Sequence, residues 1–361
     1  MDSERCEVEI GRLVLSVKEA KCTSLERKVL NRRYFTTERR SPMISDISGL
    51  FARLDNEVSK TVVGKSAQLR LMTAAILAEG HILLDDLPGV GKTTLVKSLA
   101  LALGCNFRSI QFTPDLLPSD VVGMNIYDRS NGCFKRIEGP VMTNLLLADE
   151  LNRAIPRTQS ALLESMAERQ VTLDGVSTPL PTPFAVLATQ NPVESESTFR
   201  LPAAQLDRFM LCLSLGYLSA DDEVSMLKSV GDDLVFDSIE AVTNPDELIS
   251  LSQEVRNVAV TDDMLYYITA LVSATRGHSM LRLGGSPRAT RDLYRVSKAL
   301  AAVSGRDYVT PDDVHELACS VLCHRLAPSS EARVAGKGAE AVLSEILSSV
   351  PVPPKKEKLF A

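Results

Sequence analysis

Two periodicities divide the chain. Between about residues 45 and 218, short apolar runs alternate with longer stretches of helical spacing. Ile47 to Lys60 and Ala67 to Glu79 read as amphipathic helices, the second stopped by Gly80. Ile82-Leu83-Leu84 is a short buried strand. A turn at Pro88-Gly89 follows, then a helix with Leu95, Val96, Leu99 and Leu103 on one face before Gly104. Phe107 to Phe112 alternates as a strand. Asn125 to Arg136 reads as a hairpin around Asn131-Gly132, and Val171 to Thr178 as a second, turned at Asp174-Gly175. Leu145 to Ala148 and Phe184 to Thr189 are continuous apolar runs, as expected for strands covered on both faces, and Pro156 opens a helix to about Glu168 between them. Strands alternating with helices predict an α/β core with a parallel sheet over 45–218.

Beyond about residue 218 the strand signals stop. Asn244-Pro-Asp-Glu247, Thr261-Asp-Asp263 and Thr310-Pro-Asp-Asp313 share one grammar: a capping residue, then acids in the first turn. Residues 219–350 are therefore expected to be an all-helical domain, and 351–361, with Pro353-Pro354-Lys355-Lys356, a flexible tail. Residues 1–44 show no such pattern and carry ten Lys/Arg against seven Asp/Glu. They read as a poorly ordered extension or an over-called start with Met43 as initiator, in preference to a regulatory docking arm.

Composition narrows the function classes. The 361 residues are 45% hydrophobic and 24% charged, ordinary for a globular protein of two or three domains. A net charge of −6 and the absence of Trp argue against a broad nucleic-acid-binding surface. No apolar run is long enough to span a membrane. Seven scattered cysteines without a CxxC pair, and no leader segment, read as reduced thiols in a cytoplasmic protein. Cys319, Cys323 and His324 lie close together on a helical pattern. A small apolar core role is preferred to a metal site, because no second ligand cluster accompanies them.

Chemistry concentrates at strand ends. Between the first strand and its helix lies Asp86-Leu-Pro88-Gly89-Val90-Gly91-Lys92-Thr93-Thr94. Glycines there let backbone N–H groups turn onto phosphates, the helix start adds its positive end, Lys92 reaches the β- and γ-phosphates, and Thr93 holds Mg²⁺. The usual loop begins with Gly where this chain has Asp86; the expectation is that Asp substitutes there by tolerating a left-handed backbone. Asp149 and Glu150 end a buried strand, a costly place for two carboxylates unless a cation or substrate uses them. Asp149 is expected to support Mg²⁺ and Glu150 to orient and polarise the attacking water. Asn191, at another strand end, is a candidate for positioning that water. Arg288 puts a positive charge in the first turn of a helix capped by Ser286, where a nucleotide phosphate would compensate it.

Together these stretches resemble the MoxR family of AAA+ ATPases over residues 45 to about 327. The likeness rests on Gly80 to Thr93, Leu147 to Ala154, Thr158 to Glu164, Ala188 to Pro192, Leu201 to Phe209 and Ser286 to Thr290. The resemblance implies a P-loop NTPase core with a C-terminal helical lid, and ATP with Mg²⁺ as cofactors. It implies sensor 1 at Asn191, an arginine finger at Arg208 offered to a neighbour's nucleotide, sensor 2 at Arg288, and Val63-Gly64 beside adenine. Gln111 is a weaker candidate for a glutamate switch. The two hairpins match insertions that face a ring pore or client. Ala203 departs from the family's Glu. The family's usual setting implies a ring, often a hexamer, that remodels or matures clients beside a protein with a von Willebrand factor A domain. Two alternatives remain open: a metal-chelatase motor subunit, marked by ATP use coupled to metal insertion, and an ATP-gated binding switch, marked by single turnover with a tightly held nucleotide.

Overall fold

Period two, met twice over, builds the centre of the molecule. Residues 42–191, 199–229 and 236–353 are described in the computed structural model. Two helices, α1 (Pro42–Val58) and α2 (Ser66–Leu77), precede the first strand, β1 (Ile82–Asp85). Then follow α3 (Lys92–Ala102), β2 (Phe107–Gln111), α4 (Pro118–Val122), β3 (Gly123–Asp128), β4 (Cys133–Glu138) and β5 (Leu145–Asp149). After these come α5 (Pro156–Glu168), β6 (Gln170–Leu173), β7 (Val176–Pro179), β8 (Ala185–Gln190), α6 (Ala203–Leu206) and β9 (Leu211–Leu213). Strands β2-β5-β8-β1-β9 form one parallel sheet in that order. Ile82, Leu84, Leu145, Leu147 and Leu187 face one apolar cluster; Leu83, Leu146, Ala148, Val186 and Ala188 face another. Both faces are covered, which is why these strands read as unbroken apolar runs.

The hairpins stand apart from the sheet. In β6–β7, Leu173 pairs with Val176, and the two turn residues Asp174 and Gly175 both have positive φ, 49° and 81°. That is the backbone a two-residue hairpin turn requires. In β3–β4, Asp128 pairs with Cys133, so Asn131-Gly132 closes a four-residue loop instead of sitting at its middle. Asn125 Nδ2 donates to Asp174 Oδ2 at 2.7 Å, tying one hairpin to the other.

The C-terminal part is helical. It comprises α7 (Ala220–Ser229), α8 (Pro245–Val255), α9 (Asp262–Gly277), α10 (Pro287–Val303), α11 (Pro311–Leu322), α12 (Ser330–Val334) and α13 (Ala339–Ser349). Its helix starts follow the expected chemistry. Asn244 accepts from the Glu247 N–H, Thr261 from Met264 and Ser286 from Ala289, while Asp313 accepts from the Thr310 N–H at 2.8 Å. One departure is a ribbon of β10 (Leu281–Leu283) and β11 (Ala327–Pro328), antiparallel. Three residues against two is too short a run to show a period. The sheet-bearing and helical parts cluster as one unit over residues 42–353. The first helix starts at Pro42, within the expected extension; residues 1–41 and most of the expected tail, 354–361, lie outside the described residues.

Candidate active site

Because β8 lies between β5 and β1, the carboxyl ends of three neighbouring strands open on one edge of the sheet. Parallel sheets place their ligands there. Asp85 aligns with Gln190 and Gln111 with Asp149, so the loop after β1, the acids after β5 and the polar end of β8 are level with one another.

The phosphate loop works through its backbone. Gly89 and Gly91 have φ of 82° and 84°, and a Cβ on either would meet nothing within 4 Å. Glycine is needed there for conformation, with open space where a phosphate would lie. Gly91 is the N-cap of α3, so the helix's positive end faces that space. Lys92 Nζ donates to the carbonyl of Asp86 at 2.9 Å.

Asp86 does not do what its position suggests. The positive-φ residues of this loop are Gly89 and Gly91, and Asp86 is not among them. Instead its buried carboxylate accepts from the Ser214 hydroxyl at 3.1 Å and from the N–H groups of Leu215 and Gly216. From the other side, the buried Lys65 donates to the carbonyls of Leu215, Gly216 and Tyr217 at 2.7, 3.1 and 3.2 Å. A lysine takes the carbonyls and an aspartate the amides of one segment, which fastens the exit of β9 to the loop. Gly64, beside Lys65, has φ 73°, and a Cβ there would meet the Asp222 carboxylate of α7 at 2.7 Å. Val63 is half-buried next to it.

The acid pair after β5 is held by side chains from β2, from β8 and from the turn Leu151–Arg153. Thr189 donates its hydroxyl to Asp149 Oδ1 at 2.6 Å and accepts the Glu150 N–H at 2.8 Å. Glu150 has φ 53° and ψ 47°, a left-handed conformation that costs a non-glycine residue on the order of 1 kcal/mol. Strain of this kind gathers at functional sites. Glu150 Oε2 accepts from Gln111 Nε2 at 2.7 Å and from Arg153 at 2.8 Å. Asn191, buried at the end of β8, accepts from Asn152 through its carbonyl at 3.2 Å; Pro192 of the expected motif lies outside the described residues.

Comparison with known proteins agrees with this layout. Residues 81–211 match the family model for the ATPase family associated with various cellular activities (AAA), and 273–346 match the AAA lid domain. The chain is 46% identical to the uncharacterized protein YeaC of Bacillus subtilis, over 85% of this chain and 96% of that one. It is 38% identical to the chaperone MoxR1 of Mycobacterium tuberculosis, over 82% of this chain and 81% of that one. A crystal structure from Cytophaga hutchinsonii, described as a candidate ATPase, superposes with a TM-score of 0.81 at 38% identity, covering 87% of this chain and 98% of that one. The chain belongs to the MoxR family of AAA+ ATPases. It is a nucleotide-binding, ATP-hydrolysing enzyme with a P-loop core and a helical lid.

Within this MoxR-family fold the two candidate arginines come from other elements than the strand ends. Arg208 follows α6 and donates to the Leu163 carbonyl of α5. Arg288 lies in the first turn of α10; the ion pairs of that helix among the described residues run through Arg291, Asp292 and Arg295. The residue the sequence argument missed is Thr189, whose hydroxyl joins both acids. The signal was a lone Thr ending an otherwise apolar strand. The oxygen donors Thr93 and Asp149 suit a hard cation such as Mg²⁺. Cys319 is exposed, not a core residue as expected, and its sulfur lies 3.1 Å from that of Cys323. Part-buried His324 pairs through Nε2 with the Phe209 carbonyl at 3.0 Å. No helix among the described residues is long and apolar enough to cross a membrane.

Proposed function

We propose that this enzyme hydrolyses ATP with Mg²⁺ inside a ring of identical subunits, hexameric as in its family, and uses the cycle to remodel or mature a client protein in the cytoplasm. The expected companion is a protein with a von Willebrand factor A domain. The name of the mycobacterial relative, chaperone MoxR1, supports the remodelling part.

The observation that carries the hydrolytic reading is the constrained Glu150 backbone, pinned by Thr189 beside Asp149. Pro88 to Thr94 wrap the phosphates, with Gly89, Val90 and Gly91 presenting backbone N–H groups. Lys92 exchanges the Asp86 carbonyl for the β- and γ-phosphates, and Val63-Gly64 lie against the base. Thr93 and Asp149 hold Mg²⁺, which when bound neutralises charge on the phosphates. Glu150 accepts the proton of the attacking water, and Asn191 helps to place that water. In the described state Gln111 and Arg153 occupy one Glu150 oxygen, an acceptor a water would otherwise use. That arrangement supports a switching role for Gln111. Arg288 meets the nucleotide from its own lid, and Arg208 meets that of a neighbouring subunit.

Glu150→Gln keeps the shape and removes the base. It should bind ATP within a few-fold of the parent and hydrolyse it about 10²–10⁴-fold more slowly. Unaltered hydrolysis refutes the role.

A further inference from the structure

One buried charge lies in the lid, on Arg325. Arg325 closes the turn Cys323–Arg325 after α11, and its side chain is only 2% exposed. A guanidinium taken out of water is costly unless several partners compensate it. Its partners come from two places. Its Nη2 donates to the carbonyl of Phe209 at 2.6 Å and lies 3.4 Å from that of Asp207. These are the residues on either side of Arg208. Nη2 also meets the Asp292 carboxylate of α10 at 2.7 Å, and Nε lies 3.4 Å from the Asp207 carboxylate.

The link continues. Asp207 Oδ1 accepts from the Ser286 hydroxyl at 2.8 Å, and Ser286 is the N-cap of α10, the helix that carries Arg288. His324 adds a second contact on the Phe209 carbonyl. The stem of Arg208 is therefore gripped on both sides by one guanidinium from the lid, and the same carboxylate ties that stem to the start of α10. Arg325 Nε and Nη1 have no hydrogen-bond partner of their own, so its donors are not all spent in this arrangement.

We propose that Arg325 is a positioning residue for Arg208: it sets the angle at which the arginine leaves its own subunit and makes that angle depend on the lid. The inference rests on the reading of Arg208 as acting on a neighbour's nucleotide. A displacement of about 1 Å in a catalytic group can lower a rate about 10²-fold without touching binding.

The test uses full-length chains. Arg325→Met removes the grip at similar length. It should hold a fluorescent ATP analogue within about threefold of the parent and lower kcat by roughly 10–100-fold. Mixed with Glu150→Gln chains, it should regain activity. Its own sites keep their base and receive correctly placed arginines from the neighbour. A merely structural defect would not be cured by the neighbour. The parallel mixture of Arg208→Ala with Glu150→Gln reports on the underlying reading. If that control recovers and the Arg325→Met mixture does not, or if Arg325→Met keeps full kcat, the positioning role is overturned. If the control itself stays inactive although mixed rings form, the action of Arg208 across subunits fails instead. Should Arg325→Met not fold by its melting curve, Asp207→Asn, which loosens the same stem, must show the same loss and the same recovery in the mixture; its failure to do so overturns the proposal.

Discussion

The phosphate loop and the acid pair sit at the ends of neighbouring strands, yet they are built by opposite means. The loop is made from consecutive residues and relies on backbone: two left-handed glycines, a helix start and one lysine. The acid pair relies on side chains brought from β2, β5 and β8, with Thr189 at the joint. A backbone device can be read from a dozen residues of sequence and should break when its geometry or its cation goes. A side-chain device depends on partners far along the chain and should fail to an isosteric change that leaves the fold standing.

That contrast can be broken in four places. The largest effect is expected at Lys92→Ala, which removes the loop's only long cation. Titration with a fluorescent nucleotide should show affinity lower by about 10²-fold or more, since charge-assisted contacts to phosphate are among the strongest. Retained affinity would mean that backbone donors alone suffice. Thr189→Val comes next. It preserves shape while leaving Asp149 Oδ1 and the Glu150 N–H unpaired, so kcat should fall roughly 10–100-fold while nucleotide still binds, at a stability cost of about 1–3 kcal/mol. Equal loss of binding and turnover would show that the two devices are not separable.

Asp86→Gly separates the two explanations for an acid at the head of the loop. If the position served only backbone conformation, glycine would be neutral or stabilising. The contacts to residues 214–216 predict instead a loss of about 1–3 kcal/mol, read by denaturant unfolding. The smallest effect on the nucleotide site belongs to His81, at the opposite end of β1. Its Nε2 pairs with the Met166 carbonyl at 3.1 Å and its Nδ1 accepts from Val186, also at 3.1 Å. Burial pushes its pKa down to about 4. Between that value and the ordinary one near 6.5 the unfolded chain holds a proton that the folded chain refuses, so stability rises with pH across this window. Acidification through it should cost up to about 1.4 kcal/mol per pH unit. His81→Gln should flatten that part of the profile and leave nucleotide affinity unchanged.

The same contrast explains what could be read in advance. The glycine-rich loop, both acids, the caps at Asn244, Thr261, Ser286 and Thr310, and the turn at Asp174-Gly175 are local signals, and the caps and the turn have their expected geometry. The fold class followed from runs such as Leu145 to Ala148, which can be unbroken only because both faces of the sheet are covered. What escaped was non-local. The partners of Asp86 lie 128 to 130 residues further on. Arg325 reaches Phe209 across 116 residues. A short motif addresses only the dihedral of Asp86, not its distant donors. The β10–β11 ribbon pairs segments too brief to carry a period.

The central claim is that each hydrolytic site is completed by Arg208 of another subunit. ATP turnover per chain, measured across protein concentration together with particle size, tests it most directly. An arginine finger is worth about 10³–10⁵ in rate, so turnover should be negligible for the monomer and rise as rings assemble. A monomer with full specific activity would contradict the account.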